Sequence, residues 1–370
     1  MPQVVEVDSA DDSRDVIHQA VEALAEGRLV GFPTDTVYTV AAHALSAPAV
    51  AQLAELQRAR QLPSAQLSFK CAAEAQDYIP ELPEVALKFA RRCWPGPIVL
   101  VADPPASGTL LHQLPVVAQQ LATEYGGLAM RVVPHPVMAA VLRLLPGPLV
   151  LSGESPDWKT AADLVAAMGD QLELVLDQGP CRYGQPSTVI RIDDNHWRIL
   201  VEGVVSERVV NRLSGTVFLF ICTGNTCRSP MAEGMFRKLL ADKLKCSDQD
   251  LMDLGYIVQS AGLAAGEGHP ASPESVEILA TRGVDLHSHL SQPVSPRLLQ
   301  QADYVFTMTR QHRDIILREF PNLPARVEML DREGDVLDPI GFPADYYEKC
   351  ADQIERNLQE ILADFPRQSP

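Results

Sequence analysis

The chain has 370 residues, 46% of them hydrophobic, and its net charge of −17 divides into −9 over residues 1–215 and −8 over the rest. The length exceeds one typical core, so two domains are expected, and the even acidity serves solubility and argues against broad, nonspecific nucleic-acid binding. The apolar stretches fall short of a membrane span, residues 1–20 lack a basic start followed by an apolar run, and seven cysteines without framework spacing suit a reducing cytoplasm. A cytoplasmic location with no membrane partner is expected.

In chain order, residues 13–28 read as a helix, followed by a short strand, Leu29-Val30-Gly31-Phe32, and then by Pro33-Thr34-Asp35-Thr36-Val37-Tyr38. Later landmarks are Trp94-Pro95-Gly96-Pro97, Ala129-Met130-Arg131-Val132-Val133-Pro134-His135-Pro136 and Gly184-Gln185-Pro186-Ser187-Thr188-Val189-Ile190. Strands and helices mix throughout, which points to an α/β or α+β domain. Taken singly, the hydroxyls are turn residues and Arg131 is an arginine at a strand edge.

These landmarks, in this order, resemble the YrdC/Sua5-type threonylcarbamoyl-adenylate synthase family. The resemblance implies a twisted mixed sheet with helices, and condensation of threonine, bicarbonate and ATP (with Mg) for tRNA modification. It also implies an RNA partner, which the acidic charge disfavours. Thr34, Thr36, Arg58, Arg60, Arg131, Ser152, Ser187 and Thr188 would hold nucleotide and threonine. There are departures. Arg58 and Arg60 lie in Gln57-Arg58-Ala59-Arg60-Gln61-Leu62-Pro63-Ser64, without the family's lysine and following proline. Leu151-Ser152-Gly153-Glu154-Ser155 replaces a Ser-Thr-Ser-Ala-Asn signature, and Thr39 replaces a glycine. Glu154 places a negative charge where a phosphate would approach, at a cost of several kcal/mol. The expectation is a synthase-like domain with a degraded site. A nucleotide- or RNA-sensing domain, a scaffold, or an active synthase are the alternatives.

The polar stretch Ser206 to Gly215 reads as the boundary. The expected organisation is a first domain over 1–205, a linker over 206–215 and a second domain over 216–366. Val217-Phe218-Leu219-Phe220-Ile221 then forms an apolar run that reads as a buried strand. It leads into Cys222-Thr223-Gly224-Asn225-Thr226-Cys227-Arg228-Ser229-Pro230. Ser229 suits an N-cap and Pro230 a first helical position, and Met231, Met235, Phe236, Leu239 and Leu240 recur at helical spacing. A strand, tight loop and helix in that order aim backbone N–H groups and a helix N-terminus at one point, where a phosphate would sit. Cys222 at such a place, near Arg228, is expected to be largely thiolate and to act as the nucleophile of a phospho-enzyme. Arg228 can hold two phosphoryl oxygens. Gly224 is expected to supply backbone freedom, and Asn225 to hold the loop's shape.

Residues 216 to about 365 resemble the low-molecular-weight protein phosphatase family. The resemblance implies a parallel four-stranded sheet flanked by helices, a phosphorylated protein as substrate, and neither metal nor cofactor. Thr223, Gly224, Asn225, Thr226, Cys227 and Ser229 would bind the phosphate. Asp338, in Val336-Leu337-Asp338-Pro339-Ile340-Gly341, would be the general acid and base; a residue before proline is pushed out of helical conformation. Ser260-Ala261-Gly262, Gly268-His269-Pro270-Ala271, Ser288-His289 and Thr307-Met308-Thr309 extend the match. Thr226, where phosphotyrosine enzymes carry an aliphatic residue, resembles the protein-arginine-phosphatase branch. Ile340 and Gly341 stand where an aromatic pair would clamp a phenyl ring. Cys227 would protect Cys222 by forming a disulfide under oxidation. Arsenate reductases share the loop but need two further mid-domain cysteines, and only Cys246 and Cys350 follow Cys227.

Overall fold

The computed structural model of the chain describes residues 2–7 and 13–364. It divides into two compact units between Leu213 and Ser214. The expected domain limits at residues 1 and 366 lie outside the described residues.

In the first unit one mixed sheet contains β1 (Gln3–Glu6), β2 (Val30–Phe32), β3 (Thr39–His43), β4 (Gln66–Ser68), β5 (Ile98–Ala102), β6 (Leu128–Arg131), β7 (Leu149–Leu151), β8 (Leu174–Asp177), β9 (Thr188–Asp193) and β10 (His196–Val201). The spatial order is β1-β8-β2-β3-β7-β4-β6-β5-β9-β10. Strands β2 to β7 are buried along their whole length, and buried strands read as continuous apolar runs rather than alternating ones. The first helix, Ser13–Ala25, stops ahead of Gly27, whose φ of 79° ends it in the left-handed region.

The 206–215 stretch is not a linker. It holds a helix, Glu207–Ser214, whose Val210 is buried in the first unit's core. Arg92 Nη1 also donates to the Leu213 carbonyl at 2.8 Å. The stretch reads as polar because the buried Val210 and the half-buried Leu213 sit among polar side chains, a pattern that a short amphipathic helix produces.

The second unit is built on β11 (Thr216–Cys222), β12 (Tyr256–Gly262), β13 (Tyr304–Thr307) and β14 (Arg326–Met329), all parallel, in the order β12-β11-β13-β14. All of β11 is buried. Its period-two alternation sends Phe218, Phe220 and Cys222 into one core, with Met231, Phe236 and Ile354. It sends Val217, Leu219 and Ile221 into the other, with Leu299 and Ile316. Cys222 therefore ends the central strand on the face covered by the helix Arg228–Leu244, at the carboxyl edge where ligands of open parallel sheets bind.

The register pairs Cys222 with Gly262. A Cβ at Gly262 would lie 2.6 Å from the Thr223 carbonyl oxygen and 2.9 Å from the Asn225 nitrogen, both backbone atoms. Gly262→Ala should therefore displace the loop, lowering stability by about 1–3 kcal/mol and weakening inhibition by inorganic phosphate. Thermal unfolding and phosphate inhibition check this; unchanged values for both would show that the approach is not restrictive.

Candidate active site

Asn225 is fully buried, with φ at 54° in the left-handed region. Its Nδ2 donates to the hydroxyls of Ser229 (2.9 Å) and Ser260 (2.8 Å), and its Oδ1 accepts from Gln292 N (2.9 Å). His289 Nε2 donates to its carbonyl at 2.8 Å, and its own N–H donates to Cys222 Sγ at 3.2 Å. Both side-chain ends and both backbone groups are thus satisfied at a residue that would otherwise be strained. The expected role of Gly224 is corrected here. It is not among the glycines at positive φ, and a Cβ on it would meet nothing nearer than Thr226 Oγ1 at 3.6 Å. Asn225 makes the left-handed turn because its side chain is held on three sides.

Ser229 does not cap the helix. The helix starts at Arg228, with Cys227 in the cap position and no side-chain cap bond. Ser229 Oγ lies 3.0 Å from Cys222 Sγ. It accepts from Asn225 Nδ2, and the Ala261 carbonyl lies 3.5 Å away as another acceptor for its hydrogen. Pro230 falls within the first turn, where no intrahelical donor is needed. Arg228 is buried and its Nη2 donates to Asp338 Oδ2 at 2.6 Å. Asp338 lies on an irregular segment, and the Ile340 N–H donates to its Oδ1 at 3.3 Å. Thr226 is half-buried, with Oγ1 3.7 Å from Cys227 Sγ. Cys222 and Cys227 are both free thiols. Ile340 is 64% exposed, and Phe342, two residues on, stacks against Tyr346 with ring centroids 4.7 Å apart.

Several site residues carry no role in the sequence reading. His312 Nε2 lies 2.9 Å from Thr223 Oγ1. Burial, then the nearby Arg228 charge, pushes its pKa down to about 4. Its Nδ1 is buried without a partner, so the ring's one hydrogen bond is the one that joins Nε2 to the Thr223 hydroxyl. Ser260 donates to Glu233 Oε2 at 2.6 Å. Burial pushes the Glu233 carboxyl up, against the Ser260 hydrogen bond. The Tyr347 hydroxyl reaches to 3.8 Å from Cys227 Sγ. His289 and Ser260 were visible only as parts of a matching pattern. His312, three residues beyond Thr309 on the same turn, had a signal in its spacing from that motif.

In the first unit, Arg131 is fully buried. Its Nε donates to the Gly96 carbonyl (3.0 Å), its Nη1 to Thr36 Oγ1 (3.1 Å) and Glu154 Oε1 (2.5 Å), and its Nη2 to Asp35 Oδ1. Arg131 is therefore not a free cation for a triphosphate. Glu154 is likewise not a bare charge: Ser187 N (2.6 Å), Ser187 Oγ (2.8 Å) and Gln66 Nε2 (3.3 Å) also donate to it. Thr34, Thr36, Arg131 and Ser187 do gather, but around internal carboxylates. Burial raises the Asp35 carboxyl, and Arg131 opposes the shift. Ser152 bonds Thr39 (3.2 Å) and Val40 N (3.2 Å). Thr188 bonds the Val205 carbonyl (2.8 Å). Arg58 and Arg60 are exposed at the end of the helix Ala47–Arg60. A cleft of about 500 Å³ lies beside Thr34, Asp35, Cys181 and Tyr183. Replacing Arg131 with Met leaves two buried carboxylates without their cation, which should cost about 3–5 kcal/mol. Denaturant unfolding of the full chain checks this, and an unchanged first-unit transition would contradict it.

Comparison with known proteins agrees with both halves of this geometry. Residues 217–369 match the family model for low molecular weight phosphotyrosine protein phosphatase. Residues 22–203 match the Sua5, YciO and YrdC model, described as telomere recombination. The chain is 36% identical over 148 residues to a protein-arginine-phosphatase of Bacillus subtilis (strain 168), spanning 39% of this chain and 92% of that protein. It is 32% identical over 148 residues to a protein-arginine-phosphatase of Geobacillus stearothermophilus, spanning 39% and 91%. A solved YwlE mutant from Bacillus subtilis is 35% identical, with TM-score 0.36, covering 40% of this chain and 97% of that one. Among the described residues no helix is long and apolar enough to cross a membrane. Through its C-terminal unit the chain belongs to the low molecular weight protein phosphatase family, and a domain of the Sua5/YrdC type precedes that unit.

Proposed function

We propose that the C-terminal domain removes phosphoryl groups from protein side chains through a cysteinyl-phosphate, with phosphoarginine preferred. The observation that carries this reading is the placement of Cys222 Sγ under the Asn225 N–H and the Ser229 hydroxyl, with Arg228 joined to Asp338 at the same loop. The Cys222 thiolate attacks phosphorus, forming S–P as the bond to the leaving group breaks. Loop amides and the Arg228 fork hold the three equatorial oxygens, in the manner of electrostatic phosphoryl-transfer sites. The incoming dianion competes with Asp338 for the Arg228 guanidinium. As general acid, Asp338 gives its carboxyl proton to the departing nitrogen or oxygen. Its carboxylate then takes a proton from water as the water oxygen attacks phosphorus. The S–P bond breaks, inorganic phosphate leaves and the thiolate returns.

Two features support phosphoarginine. Thr226 adds a hydroxyl beside the loop where an aliphatic residue would narrow the pocket, and Ile340 and Gly341 supply no aromatic clamp. Relatives named as protein-arginine-phosphatases carry the same kind of domain. Phosphotyrosine is the alternative, since relatives named as probable tyrosine phosphatases also match, at 30% identity. The phosphatase reading requires no metal or cofactor and suits a cytoplasmic protein. For the N-terminal domain, ATP with Mg, threonine and bicarbonate are the ligands of an alternative reading, in which the chain makes threonylcarbamoyl-adenylate for tRNA modification. The internal pairing of Arg131 and Ser187 with Glu154 disfavours that reading.

Asp338→Asn keeps the shape and removes the proton donor, so turnover should fall by about 10²–10⁴ for poor leaving groups and much less for good ones. Steady-state rates across a series of aryl phosphates check this; an equal loss throughout would make Asp338 structural. The wild type should also favour phosphoarginine over phosphotyrosine peptides in kcat/KM. Thr226→Ile should shift that ratio towards phosphotyrosine by roughly 10–200-fold. A wild-type preference for phosphotyrosine, with a ratio unmoved by Thr226→Ile, would sink the arginine assignment.

A further inference from the structure

The peptide immediately before Asp338 has its backbone held by side chains rather than by a strand. Gln353 Oε1 accepts from the Leu337 N–H at 3.0 Å. The Cys350 thiol donates to the Leu337 carbonyl at 3.2 Å. Both residues lie on the C-terminal helix Ala344–Asp364, three positions apart and so on one face. The Leu337 side chain itself is 46% exposed, so packing of that residue does not fix the segment. Gln353 is in turn fixed at its other end. Its Nε2 donates to Asp331 Oδ2 (2.7 Å) and to the Asp335 carbonyl (3.2 Å). Its side chain thus spans the run from Asp331 to Leu337. Cys350 is fully buried, and burial pushes its thiol up to about 12, so it keeps the hydrogen that it donates.

We propose that Gln353 and Cys350 are positioning residues for the general acid. Together they clamp the Leu337 peptide and so set where the Asp338 carboxyl meets the leaving group. This rests on the reading of Asp338 as general acid. Neither residue touches the phosphoryl group in this account. Their loss should spare phosphate binding by the Cys222 loop and slow only the step that needs a placed proton. Misplacement of a reacting group by about 1 Å is worth up to about 100-fold in rate.

The test uses the full chain with Gln353→Met, Cys350→Ala and Cys350→Ser, and aryl phosphates of increasing phenol pKa. For the poorest leaving group, kcat should fall about tenfold or more in Gln353→Met and Cys350→Ala. For the best leaving group it should stay within about threefold, and vanadate inhibition within about twofold. Cys350→Ser keeps a donor at that position and should recover most of the loss. Equal losses for all leaving groups, or no loss at all, would overturn the clamp. If Gln353→Met fails to fold, the Cys350→Ala and Cys350→Ser pair decides by the same criteria. Asp338→Asn, run alongside, separates the two ideas. A flat leaving-group profile for Asp338→Asn would remove the general-acid reading itself. A steep profile there, with flat profiles for the clamp variants, would remove only the clamp.

Discussion

The loop between β11 and the helix Arg228–Leu244 depends on one buried residue. Asn225 turns the chain into the left-handed region, and that turn brings its own N–H onto Cys222. An unpaired buried amide would cost about 1–3 kcal/mol, so the conformation persists only because Ser229, Ser260, Gln292 and His289 take up its polar groups. Those partners come from three separate stretches of chain. The loop is therefore not a local motif that folds by itself but the meeting point of β11, β12, the helix Arg228–Leu244 and the 289–292 segment. Ser229 links this scaffold to chemistry, because the hydroxyl that accepts from Asn225 is the one beside the sulfur.

Much of this was legible in the sequence where the physics is local. The run Val217 to Ile221 had to be a buried strand, and the proline after Asp338 had to leave that residue on an extended segment. What misled the reading was residue type taken without its partners. Ser229 has the chemistry of a cap, yet its hydroxyl faces Cys222. Gly224 has the freedom for a left-handed turn, yet Asn225 makes it. Both errors have one cause. A short polar side chain goes where its long-range partners are, and neither Ser260 nor Gln292 is near in sequence. His312 meets Thr223 across 89 positions, with only its spacing from Thr309 as a signal, and Cys350 meets the Leu337 carbonyl across 13. The 206–215 stretch failed differently, since its apolar face is only Val210 and Leu213, too narrow to stand out from a polar composition.

The two units treat charge in opposite ways. In the first, Arg131 is wholly buried and joined to Asp35 and Glu154. Two carboxylates around one guanidinium take up the hydroxyls and amides that a nucleotide would require. Glu154, which the sequence alone presents as an intruding charge, is the centre of a hydrogen-bonded network with Arg131, Ser187 and Gln66. In the second, Arg228 meets only Asp338, which is 46% exposed and shared with no other cation among the pairs of the described residues. A pair of that kind is easily re-formed around an incoming phosphoryl group, whereas a pair of the Arg131 kind is costly to open.

The most direct measurement is the identity of the phosphorylated residue during turnover. The full-length protein, mixed with an aryl phosphate and quenched in acid within one turnover, should carry one phosphoryl group on the peptide that contains Cys222. That adduct should vanish with Cys222→Ala. Burst release of the phenol with phosphate on any other residue, or turnover that persists in Cys222→Ala, would contradict the account.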